Sequence, residues 1–258
     1  MGDDEFLALC RAGDSASVES AIADGANVNA KTLSGVTTLM LAAINGHEHT
    51  AEILIQHGAN VNAKCNDGTT ALMYAASKGH SRTAELLLRH GANVNTKDYH
   101  NRPALDHAAW EGHSHTVQIL LEYGANLDAE TVAHDTVFIR AMFRGHTETA
   151  EILLRHGADI NAHGYNGMTA LMSVAFGGNT EKAKFLLSHG ADVNAQNDSG
   201  FTALMEAVMM SHADIVELLL KYGADVGIVS DDGYTALSLA QEEDNPQIIQ
   251  LLHNHGAK

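Results

Sequence analysis

Aromatic side chains are scarce in this chain of 258 residues, which has one tryptophan, six phenylalanines and six tyrosines, 5% of the whole. Proline occurs twice. The apolar content therefore comes mostly from Ala, Leu, Ile, Val and Met, the composition of packed short helices. Cysteine is also nearly absent: Cys10 and Cys65 stand 55 positions apart with no CxxC pair, which argues against a zinc framework and a disulfide scaffold. Fifteen Lys and Arg face thirty-two Asp and Glu, a formal charge of −17. Phosphate would be repelled, so no nucleic-acid partner is expected. The chain opens on the acidic MGDDEFLALC, and no apolar run has the length of a signal peptide or a membrane span. A soluble, cytoplasmic protein without membrane contact is expected. Phe6 stands where the myristoylation pattern wants Ser or Thr, so the initial Met-Gly does not indicate lipidation.

What is abundant is repetition. Gly-Ala recurs at 25, 58, 91, 124, 157, 190, 223 and 256, always 33 residues apart. The preceding lead recurs in the same register: GVTTLM at 35, GTTALM at 68, NRPALD at 101, HDTVFI at 134, GMTALM at 167, GFTALM at 200 and GYTALS at 233. In the unit that begins at Gly68, Thr70 is placed to cap a first helix, Gly79 breaks the chain, and a second helix runs through Ala84, Leu86, Leu87 and Leu88. The glycine of RHGANVN suits a left-handed C-cap, and a turn follows near Asn66-Asp67-Gly68 and its equivalents. Helices this short do not persist alone in water, so each unit must bury its apolar face against its neighbours. The expectation is one domain over residues 1–258, an all-α solenoid of eight units at about 1–34, 35–67, 68–100, 101–133, 134–166, 167–199, 200–232 and 233–258.

The 33-residue period, the G-x-T-A-L-M-x-A-A-x-x-G-H lead and the L-L-x-x-G-A-[ND]-[VIL]-[ND]-A close resemble the ankyrin repeat over essentially the whole chain. This resemblance implies helix-turn-helix units joined by β-hairpin-like connections, with N- and C-terminal capping repeats. Asp3-Asp4-Glu5 suit a first helix start and Asn245-Pro246 a last one, and the ends lead to the expectation of a finished solenoid. The family's lead is Thr-Pro-Leu-His, whereas this chain has Thr-Ala-Leu-Met at 70–73, 169–172 and 202–205. Losing the histidine should weaken local capping unless methionine packing offsets it. Some family members are modified at the hairpin asparagine, matched here by Asn29, Asn62, Asn95, Asn161 and Asn194.

The resemblance further implies a concave groove formed by hairpin tips and inner helices, and a function in protein recognition as adaptor, scaffold or competitive inhibitor. At about 100° per residue, Leu105, Ala108 and Ala109 share the packing face and Trp110 points away from it. Groove positions hold Tyr99, Trp110, Phe143, Tyr165, Phe176, Phe201 and Tyr234, seven of the thirteen aromatics, all from Tyr99 onward. Met168, Met209 and Met210 add flexible apolar surface there. Either these side chains are buried between neighbouring units or they form a contact surface, and their concentration favours the surface. Arg102 and Arg144 sit amid the aromatics, while Asp231, Asp232, Glu242 and Glu243 occupy the last groove positions. A protein or peptide with an apolar segment next to a basic one would suit this arrangement, bound by a monomer.

Unit five departs from the pattern, with His134 for glycine, Val137 and Phe138 for Ala-Leu, and Leu127-Asp128 for Val-Asn. A displaced hairpin or inconsequential drift are the two readings. Ten of the seventeen histidines recur at framework positions, such as His47 and His80 in the helix-to-helix turn and His57 and His90 before Gly-Ala. Copies one repeat apart are separated by about 10 Å, too far to share an ion, and the remaining pair His100 and His134 has no evident third ligand. No metal, cofactor or catalytic residue is expected, and the nucleotide-binding, hydrolase and zinc-protease motifs are missing. Cys10 aligns with core alanines, while Cys65 lies at a hairpin and is expected to be accessible. The alternatives are a solenoid that binds a small molecule or a metal, and an enzyme without a recognisable motif.

Overall fold

Threonine starts most of the first helices of the units, and a nine-residue second helix follows after a tight turn. In the computed structural model, which describes residues 1–127 and 135–258, these form pairs. They are α1 (Asp3–Ala12) with α2 (Ser15–Ala23), α3 (Thr38–Ile44) with α4 (Glu48–Gln56), and α5 (Ala71–Ser77) with α6 (Ser81–Arg89). Next come α7 (Ala104–Glu111) with α8 (Ser114–Glu122), and α9 (Val137–Arg144) with α10 (Thr147–Arg155). The last are α11 (Ala170–Phe176) with α12 (Thr180–Ser188), α13 (Ala203–Met209) with α14 (Ala213–Lys221), and α15 (Ala236–Glu242) with α16 (Pro246–Asn254). Odd helices stack on odd and even on even, giving two layers. Among the described residues the long loops hold no strand, only isolated bridges between Lys31 and Thr37 and between Lys97 and Pro103. One core runs from Phe6 to Leu252, and the alanine pairs at 42–43, 75–76 and 108–109 are fully buried where odd helices meet.

The methionine of the lead replaces the family's histidine as a capping partner. Thr70 Oγ1 accepts from the Met73 N–H at 3.3 Å, and the Thr70 N–H points back at Met73 Sδ, 3.5 Å away. Thr37 with Met40 and Thr169 with Met172 make the same reciprocal pair, and Thr235 makes it with Ser238 through oxygen. A thioether is a weak acceptor, but it spares a buried N–H from having none. At the chain start a carboxylate caps α1 as the sequence suggests: Glu5 accepts from the Gly2 N–H at 3.3 Å. Asn245 caps α16 through the Ile248 N–H, with Pro246 at the first helical position, as the sequence suggests.

Two polar ladders stitch most pairs to the next. The turn histidines are half-buried, and Nε2 of His47, His80, His113, His146 and His212 lies 2.9–3.2 Å from the carbonyl oxygen of Arg11, Ile44, Ser77, Trp110 and Phe176. A carbonyl only accepts, so Nε2 carries the proton. The ring lies against the preceding turn's glycine: a Cβ on Gly112, which has φ +75°, would come within 2.4 Å of His146. Asn179 occupies the histidine's place in one turn, and there Lys182 Nζ donates to the Phe143 carbonyl at 3.3 Å instead. The second ladder uses the hairpin asparagines. Asn62 Nδ2 donates to the Gly91 carbonyl at 2.9 Å and its Oδ1 accepts from the Asn93 N–H at 2.8 Å, a pattern repeated by Asn29, Asn95 and Asn194.

Candidate recognition surface

None of the sixteen side chains singled out in the sequence is buried. Tyr99, Phe143 and Tyr165 are 69%, 67% and 62% exposed, and Phe176 and Met210 are also open to solvent. Arg144, Asp231, Asp232, Glu242 and Glu243 are exposed; Arg102, Trp110, Met168, Phe201, Met209 and Tyr234 are half-buried. Leu105, Ala108 and Ala109 are fully buried on the other face of α7, so the helix turns Trp110 off the core as its register requires.

The structure gathers Trp110, Phe143, Tyr165 and Met168 around one open cavity of about 270 Å³, completed by Asp135, Ile139, Arg140 and Ser173. The Trp110 and Phe143 rings stack at 6.4 Å between centroids, with 14° between their planes. Two guanidinium groups lie over the indole, Arg140 at 4.3 Å and Arg144 at 4.9 Å from its centroid. Each contact is favourable because the cation faces the electron-rich ring. Phe176, Phe201, Met209, Met210, Tyr234 and the four carboxylates continue along the later units without lining this cavity, and Tyr99 and Arg102 precede it.

Arg140 is anchored by a carboxylate that the aromatic count missed. Asp106, 1% exposed, stands where other units carry Met40, Met73 and Met172. Pro103 takes the place of the capping threonine and has no N–H to offer, so Asp106 has no local partner. Its Oδ1 meets Arg140 Nε at 2.6 Å as an ion pair, with the N–H too far off line for a hydrogen bond. Burial pushes the Asp106 carboxyl up to about 6, against the pull of Arg140 and Arg102. Asp98, also buried, accepts from the Arg102 backbone N–H and guanidinium, each at 2.9 Å, and lies 3.2 Å from His107 Nε2. Burial raises the Asp98 pKa, but the hydrogen bonds from Arg102 and His100 outweigh it and hold the carboxyl below its ordinary range. His107 is pushed below its ordinary value by burial first and by Arg102 next. Arg102 is thus committed to a buried carboxylate rather than free amid the aromatics. A carboxylate in a methionine register position was the signal for this cluster.

A larger cavity, about 450 Å³, lies in the half of the chain that has no groove aromatics. Val36, Met40, Leu41, Ile44 and Tyr74 form its floor, with Arg11 and Lys78 among its lining. Counting aromatics at groove positions could not find it, because Tyr74 lies outside those positions and Val36, Met40, Leu41 and Ile44 make up the rest of its floor. Cys65 is buried rather than accessible, its Sγ 2.7 Å from Asp67 Oδ1 and 3.6 Å from the Tyr74 hydroxyl. Cys10 is fully buried, and burial pushes its thiol up to about 12, far from a nucleophile's range. Among the described residues no three His, Cys, Asp or Glu side chains converge as a metal site, and no helix is long and apolar enough to cross a membrane. Asp128 and His134, and with them the choice between a displaced hairpin and inconsequential drift in unit five, lie outside the described residues; Val137 and Phe138 are buried in α9.

A family model described as ankyrin repeats (3 copies) matches residues 6–98, 105–197, 137–230 and 195–258. The human ASB11 ankyrin repeat domain is similar at 30% identity and a TM-score of 0.73, covering 85% of this chain and 98% of that one. The ankyrin repeat domain of Bcl-3, described as a unique member of the IkappaB family, is similar at 26% identity and a TM-score of 0.77, covering 83% and 97%. No curated protein sequence matches significantly. Ankyrin repeat domains are generally protein-protein interaction modules and typically non-enzymatic. With the family model matching nearly end to end over paired helices stacked in two layers, the chain belongs to the ankyrin-repeat family.

Proposed function

We propose that this chain is a non-enzymatic protein-recognition module whose partner docks on the odd-helix side from α7 to α15, the groove of units four to eight. The observation that carries this reading is the stack of Phe143, Trp110, Arg140 and Arg144 beside an open cavity of about 270 Å³. Tryptophan, tyrosine and arginine are the side chains in which interface binding energy concentrates. Here they are held in place before any partner arrives, which lowers the entropy lost on binding. In this reading the chain works as an adaptor, scaffold or competitive inhibitor, as a cytoplasmic monomer.

Affinity capture with the wild type beside a Trp110→Ala/Phe143→Ala variant tests it, with circular dichroism confirming that the variant keeps its helices. Proteins held by the wild type and released by the variant are expected. In a calorimetric titration with such a protein, Trp110→Ala should weaken binding by about 2 kcal/mol or more. Equal retention by both chains would sink the reading.

A further inference from the structure

Positive charge on the odd-helix side ends abruptly at Arg144. Before it, Lys31, Lys64 and Lys97 recur at one exposed position of the long loops. Arg11 and Lys78 line the N-terminal cavity, and Arg140 and Arg144 flank Trp110. After it, α11, α13, α15 and the long loops before them contain no lysine or arginine; Arg155, Lys182, Lys184 and Lys221 belong to even helices, and Lys258 ends the chain. That same stretch presents Asp231, Asp232, Glu242 and Glu243 to solvent. It also holds Glu206 on α13, 6% exposed, with no hydrogen bond or ion pair to its carboxylate among the described residues. Arg144, Arg11 and Lys78 likewise make no ion pair among the described residues. The cations and carboxylates of the two ends therefore do not neutralise each other.

We infer that the partner is a single extended polypeptide of two charge halves: an acidic half with apolar anchors, lying over α1 to α9, and a basic half lying over α13 to α15. This rests on the recognition reading above, and it adds the N-terminal cavity and the partner's chemistry. Past the exposed carboxylates that start α1 (Asp3, Asp4 and Glu5), the acidic half meets the exposed Lys64, Lys78, Lys97 and Arg144 and the basic half meets Asp231, Asp232, Glu242 and Glu243; reversing the peptide sets acid against Asp231, Asp232 and Glu206, a mismatch that selects one direction. The apolar floors of the two cavities take the anchors. The cavities centre near α3 and α9, three odd-helix layers apart, about 30 Å if each layer adds about 10 Å. Anchors about nine residues apart in an extended chain would bridge that distance. A uniformly basic segment would be repelled by Arg144, Lys78 and the loop lysines, and a uniformly acidic one by the C-terminal end.

The test is selection from a phage-displayed library of random peptides about 24 residues long, long enough at about 3.3 Å per residue to reach from α3 past α13. Selection uses the full chain, with counter-selection on Trp110→Ala/Phe143→Ala. The expected winners carry Asp or Glu beside large apolar residues in one half and Lys or Arg in the other, in a constant order. For a synthetic winner followed by Trp110 fluorescence, Arg144→Glu and Asp231→Lys/Asp232→Lys should each weaken binding about tenfold or more, while Lys184→Glu on α12 leaves it unchanged. Winners that need Trp110 and Phe143 but have one sign of charge, or ignore both reversals, overturn this inference and leave the recognition reading standing. If no winner depends on the two aromatics, both fall. Comparable quenching of Trp110 by a single-stranded oligonucleotide, or concentration-dependent self-association in sedimentation, also overturns it by giving the basic half to another occupant.

Discussion

A methionine sulfur in a capping position is a small device with a measurable worth. Met73 is 1% exposed and its Sδ is the acceptor that the Thr70 N–H points at. Replacing it with leucine keeps the volume and removes only the acceptor, leaving a buried N–H unsatisfied. Met205 is equally buried at the matching position of α13, but Thr202 makes no such contact with it among the described residues. Met73→Leu is therefore expected to cost about 1 kcal/mol more than Met205→Leu in urea unfolding. Equal losses would mean that the sulfur only fills space. Residue by residue, what was legible was direction: one helical register suffices to turn Trp110 outward and Ala109 inward.

At the scale of elements, α7 carries two ionisable groups whose titrations oppose each other. Asp106 has its pKa raised to about 6 in the folded chain from an ordinary 3.8, so it takes up a proton more readily folded than unfolded. Its contribution to stability is complete below about pH 4 and is lost as pH rises through about 6. His107, depressed by burial, contributes in the opposite sense: its share is present above the ordinary histidine range and is lost as pH falls. Wild type shows the sum, so the informative quantity is its stability relative to Asp106→Asn. That difference should shift in favour of wild type by about 2 kcal/mol between about pH 7.5 and about pH 4.5. A difference independent of pH would show that Asp106 stays ionised beside Arg140. In the sequence this cluster is marked only by a carboxylate in a methionine register position, and its pairing was hidden for a physical reason. Asp98, Arg102 and His107 are near neighbours in sequence, but Asp106 meets Arg140 only because α7 packs on α9, and a register of single units contains no such pair. Likewise the N-terminal cavity is a shape made by α1, α3 and α5 together, with no distinctive residue to announce it.

Across the whole molecule the order of elements was legible almost to the residue, because a strict 33-residue period fixes each helix by analogy with its sisters. The period is weakest at residues 128–134, where His134 replaces the glycine of the lead. Among the described residues the main contacts run within a pair and between neighbouring pairs, so stability is shared out along one dimension. The histidine and asparagine ladders strengthen that sharing, since every stitch joins consecutive units and none skips one. Under tension this becomes a mechanical property. A chain pulled from Met1 and Lys258 should lengthen like a zip, in steps of about 110 Å as each 33-residue unit peels away, at about 3.3 Å per residue. Force spectroscopy reads those steps directly, and one all-or-none rupture would contradict them. The weakest tooth is the seam between the last two pairs, where Asn245 and Gly227 stand in the places of the histidine and the asparagine, and Asn245 caps its own helix instead. A load carried between the two ends would open the molecule there first, peeling α15 and α16, with Glu242 and Glu243, away from the rest of the groove.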